Sequence, residues 1–209
     1  MWALLGVAVV LYAMGLYVRL RCRLHAGCHW SRDRWFDLDS IGGLPRLFIT
    51  GLFVAVAALA WRTRRRAVGQ ARPWWTAVAV IGVALGVLKV VSAHSTAKAD
   101  SDVVTLVVGV LLSVVALAVL RRTARRWEVP AGPSVVVAFA VYAFAALGLD
   151  ALTGVVAGVS GTVGVVADSV ATFVEEFGEA LGALFVLTIM WWWLPSPDRS
   201  SALARRTRT

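Results

Sequence analysis

Negative charge is scarce in this chain. Its 209 residues hold 12 Asp and Glu against 21 Lys and Arg; 16% are charged and 59% hydrophobic. So few charges cannot cover that much apolar surface in water, which excludes a soluble globular domain. The net charge of +9 invites a nucleic-acid reading, yet no aromatic-rich basic domain exists to carry it. The N-terminus lacks a basic n-region and a small-residue cleavage site. We therefore expect an uncleaved first span there rather than a signal peptide. No stretch alternates apolar and polar residues as a barrel strand does, so spanning segments must be helices. Ser/His/Asp order, His-Glu-x-x-His and phosphate-loop patterns are all missing.

What is present is a series of apolar stretches long enough to cross a bilayer. Six are expected, near Trp2–Val18, Leu44–Trp61, Trp74–Val91, Val103–Leu120, Ser134–Leu152 and Val170–Leu194. The fold class is an all-α polytopic membrane bundle. Residues 1–195 form one transmembrane domain, followed by a basic tail over 196–209. Arginine runs at Arg62–Arg66, Arg121–Arg126 and Arg199–Arg208 follow the positive-inside pattern and predict both termini on the cytoplasmic side of a plasma membrane. Trp2, Trp61, Trp74, Trp75, Trp127 and Trp191–Trp193 fall at that same face, as an interfacial belt would. The segment Arg19–Leu44 opposes this topology. It carries Arg19, Arg21, Arg23, Arg32 and Arg34 on the outer side, offset in part by Asp33, Asp37 and Asp39.

A faint echo links Ala58-Leu59-Ala60 before Arg62–Arg66 with Ala116-Leu117-Ala118 before Arg121–Arg126. Alanine, valine and arginine bias accounts for it better than duplication does. The run Gly154–Gly164 reads as a flexible outer loop. Cys22 and Cys28 flank His25 without recognised zinc-ligand spacing. A short disulfide loop and two unpaired thiols are both open readings.

Polar residues converge at one end of the spans. Under this topology Lys89, His94, Asp150, Asp168, Glu175, Glu176 and Glu179 all fall in the outer leaflet. At about 1.5 Å per residue Glu179 lies roughly 10 Å into its span. Asp168, Thr172, Glu175 or Glu176, Glu179 and Gly182 share one helical stripe. Gly178 and Gly182, like Gly82 and Gly86, form Gly-x-x-x-Gly pairs that allow close helix approach, within the chain or between copies of a homo-oligomer. A carboxylate in hydrocarbon costs about 3 kcal/mol, so such groups face a bundle interior, a partner or water. The cluster suits proton or small-solute handling. A membrane-embedded enzyme acting on a lipid or extracytoplasmic substrate is an alternative. So is a buried ion-pair network in which Lys89 neutralises the acids. Carboxylates with His94 can also hold a divalent cation, but no metal or cofactor is assigned. The expected surroundings are the lipid bilayer.

Three patterns carry a resemblance: Phe36-Asp37-Leu38-Asp39 running to Leu44-Pro45, the end of the third span at His94, and Val174-Glu175-Glu176-Phe177-Gly178-Glu179-Ala180-Leu181-Gly182. Together they resemble a family of uncharacterised six-span membrane proteins of actinobacteria and haloarchaea. The resemblance implies the architecture and no activity. The chain departs from that pattern at Ile41-Gly42, Leu88-Lys89 and Ser95, where the family carries acids. Acids lost and Lys89 gained argue for a Lys89–glutamate pair over a metal site.

Overall fold

A computed structural model describes residues 1–25, 33, 35–38, 40, 42–91, 102–156 and 161–193. Beyond the helical backbone, the side chains of His25, Asp102, Val103, Thr105 and 150–156 lie outside that description. Six helices and no strand occur among the described residues: α1 (Trp2–His25), α2 (Leu44–Arg66), α3 (Ala71–Val91), α4 (Asp102–Arg126), α5 (Gly132–Val156) and α6 (Gly161–Trp193). Five of them, all except α6, are long and apolar enough to cross a membrane. The chain is a helical membrane bundle. α6 is the longest helix, at 33 residues.

Local chemistry sets the ends. Pro45 sits in the first turn of α2, where its missing N–H costs nothing and its fixed φ favours the helix. Arg64, Arg65 and Arg66 close the same helix, with cations against the negative end of its dipole. Gly69 then takes a positive φ of 59° in the tight link to α3.

α2 and α3 form one antiparallel hairpin, α4 and α5 a second, and α6 packs against α1, α2 and α5. Tyr12, Phe53, Trp74, Val78, Val135 and Val186 are among the side chains fully enclosed where these helices meet. Phe53 of α2 meets Tyr142 of α5 edge-on at 4.8 Å between ring centroids. Trp74 Nε1 donates to the Leu120 carbonyl at 3.1 Å and ties the start of α3 to the end of α4. Only 6% of the apolar stretch of α4 is buried, the smallest share among the five apolar helices.

Both glycine pairs are used inside the chain. A Cβ on Gly82 would lie 3.3 Å from Ala57 of α2, and one on Gly182 would lie 3.0 Å from the Tyr142 Cα of α5. Gly178 faces Leu149 of α5, and Gly86 faces Phe53 and Thr50 of α2. These glycines lie against neighbouring helices of the same chain.

Several helices outrun their expected spans, because a helix need not stop where hydrocarbon does. α1 continues past Val18 to His25, and α6 begins at Gly161 rather than near Val170. The Gly154–Gly164 run is therefore not one loop: its first residues finish α5 and its last ones start α6, while 157–160 lie outside the described residues.

Candidate functional site

The site starts from a register. On α6, Thr172, Glu176, Glu179, Ala180 and Ala183 are all buried, at spacings of three and four that bring them onto one face. Glu176 and Glu179 are each 4% exposed. Of the two adjacent candidates Glu175 and Glu176, it is Glu176 that points inward, while Glu175 is half-buried beside the stripe.

Two cations approach from the α2/α3 hairpin. Lys89, in the last turn of α3, forms an ion pair with Glu179, and its Nζ lies 3.7 Å from Glu176 Oε2. Arg46, in the first turn of α2, places Nη2 3.8 Å from Glu176 Oε1. Its Nε donates to the Leu38 carbonyl at 3.3 Å. Two cations thus face two carboxylates, and the quartet is formally neutral. The Tyr12 hydroxyl donates to the Pro45 carbonyl at 3.1 Å and holds the start of α2 in place. Thr50 Oγ1 donates to the Arg46 carbonyl at 2.9 Å and lies 3.4 Å from that of Gly86, which pins α3 against α2 a turn below Lys89. Tyr142 of α5 borders Glu179. The buried Ser169 and Thr172 hydroxyls are committed to carbonyls of their own helix at 2.7 and 2.9 Å.

A second charged group lies about two turns nearer the end of the bundle. Asp168 pairs with Arg19 at 3.2 Å and with Arg23, both from α1. Arg21 pairs with Asp33 at 3.1 Å. Asp168 thus serves α1 rather than the Lys89 cluster. Here the resisting basic segment finds a physical answer, since three of its arginines sit on a helix beside acids. Cys22 is disulfide-bonded; Cys28, the only other cysteine in the sequence, lies outside the described residues. His94 also lies outside them, as does the Asp150 side chain.

The structure therefore gathers Lys89, Glu176 and Glu179, separates Asp168, and sets Glu175 to one side. Arg46 was not singled out from the sequence. Its signal was present: a lone arginine two residues into an apolar span, at the same end as the glutamates. Among the described residues, no group of three or more His, Cys, Asp or Glu is placed to hold a metal ion. No family model, curated protein or solved structure matches this chain.

Proposed function

We propose that this chain is a multi-pass plasma-membrane protein in which Arg46, Glu176, Lys89 and Glu179 form an interhelical charge lock. The lock sits in the outer leaflet and fastens α6 to the α2/α3 hairpin. One observation carries this reading: both acids are 4% exposed while each faces a cation from another helix. Buried charges that are paired resist separation, because breaking a pair leaves the remaining partner uncompensated at about 3–5 kcal/mol. The orientation draws support from two further features. Arg62–Arg66 and Arg121–Arg126 gather at one end, as cytoplasmic residues do. The disulfide-bonded Cys22 is at the other, as befits an oxidising compartment.

Proton or small-solute handling is the second reading. It is favoured by the sharing of one ammonium between two carboxylates, which makes the charge state of either acid bear on the other. The two readings separate in a pair of variants. Under the lock, Lys89→Met alone lowers membrane accumulation and thermal stability in detergent, and Lys89→Met with Glu179→Leu, which keeps the Arg46–Glu176 pair, recovers both and complements a deletion strain. Recovered accumulation with lost complementation, together with gradient-driven uptake by native proteoliposomes that the double variant lacks, would instead establish handling of protons or solute.

A further inference from the structure

The opposite end of the bundle carries a run of arginines that no ion pair balances among the described residues. Arg62, Arg65 and Arg66 are exposed at the end of α2. Arg121, Arg122, Arg125 and Arg126 are exposed at the end of α4. None of these seven takes part in an ion pair among the described residues, whereas every ion pair there involves Arg19, Arg21, Arg23, Arg46 or Lys89. Glu128 is the one carboxylate in the adjoining turn.

The two basic segments are also brought together. The short link 67–70 returns the chain from α2 to α3, and the Trp74–Leu120 hydrogen bond fixes the start of α3 to the end of α4. One arginine arc follows, built from two hairpins that are distant in sequence. Its depth is marked by indoles. Trp61, Trp191, Trp192 and Trp193 are exposed at the same end, and exposed tryptophans settle at the headgroup level of a bilayer. Arg64 stacks over the Trp61 ring at 4.2 Å and donates from Nε to Thr76 at 2.8 Å, which holds part of the arc in a fixed pose.

We infer that this arc binds the phosphates of anionic phospholipid headgroups, of the phosphatidylglycerol and cardiolipin class, in the leaflet it faces. The guanidinium fork matches phosphate oxygens two at a time. Basic residues beside a membrane surface each add to anionic-lipid attraction, within a screening length of that surface. The headgroup-level tryptophans favour a lipid over a soluble polyanion. This inference rests on the membrane reading above, and the experiment keeps the two apart.

The test uses the full chain purified in a neutral detergent, with phosphatidylglycerol or phosphatidylcholine titrated in and binding followed by native mass spectrometry. The arc predicts preferential retention of phosphatidylglycerol, weakened by salt. It also predicts an affinity loss on the order of a thousandfold when Arg121, Arg122, Arg125 and Arg126 are all replaced by Gln. Arg23→Gln at the other end serves as the control and leaves lipid preference unchanged. Equal binding of the two lipids, or phosphatidylglycerol bound as well by the quadruple variant as by the native chain, overturns the proposal. So does co-purified nucleic acid that only the native chain retains and that phosphatidylglycerol fails to displace. Recovery of the chain in the soluble fraction without detergent would sink the membrane reading itself. A detergent-requiring chain with no anionic preference would sink only the arc.

Discussion

The two ends of this bundle use the same residue type in opposite ways. At one end Arg19, Arg23 and Arg46 lie against carboxylates from another helix, and Arg46 is nearly enclosed. At the other, Arg62, Arg65 and Arg66 of α2 and Arg121, Arg122, Arg125 and Arg126 of α4 stand exposed, with no carboxylate paired to them among the described residues. The difference teaches that, among the described residues, acids are placed where cations are buried between helices. Where a cation must enter the apolar layer an acid meets it, because an unpaired buried charge is intolerable. Where the arginines stand exposed, Glu128 is the one acid in the adjoining turn, and no ion pair forms there among the described residues. The positive-inside pattern thus has a counterpart at the paired end, where basic residues are tolerated because their charge is already cancelled.

The sharpest way to break this contrast is Lys89→Met, which leaves Glu179 without its cation and Glu176 with only Arg46. A loss of about 3–5 kcal/mol is expected, read as a large drop in the detergent unfolding midpoint. Asp168→Asn is next. It releases Arg19, which is 8% exposed, together with the more open Arg23. About 1–3 kcal/mol should be lost, with faster amide exchange in the last turns of α1 as the second readout. Arg23→Gln removes only the exposed member of that group, and the change should stay within about 1 kcal/mol. Smallest of all is Arg125→Gln at the other end, expected within about 0.5 kcal/mol in detergent. If Arg125→Gln destabilised the detergent-solubilised chain as much as Lys89→Met, the division between paired and unpaired ends would collapse.

Much of this architecture was legible because hydrocarbon imposes a length. The six apolar stretches each contain most of one helix, and the arginine runs mark where α2 and α4 finish. Helix ends were less legible: Arg19, Arg21 and Arg23 looked like loop residues until Asp168 and Asp33 were seen beside them. Periodicity narrowed the acidic stripe to Glu175 or Glu176. It could go no further, since choosing between neighbours on one turn requires knowing where α2 and α3 stand. The glycine pairs signalled close packing correctly but not with whom. Gly182 against Tyr142 and Gly82 against Ala57 are contacts between helices of one chain, and spacing alone is silent on that choice. Arg46 stayed hidden for the same reason, as its role depends on a glutamate 130 positions away in the sequence.

The shared lysine has a consequence for biogenesis. α6 leaves the ribosome after the other five helices described here, and its acids make it the poorest candidate to partition into lipid unaided. Under the proposed charge lock, Lys89 and Arg46 precede α6 into the membrane, and the order of synthesis supplies the counter-ions before the acids that need them.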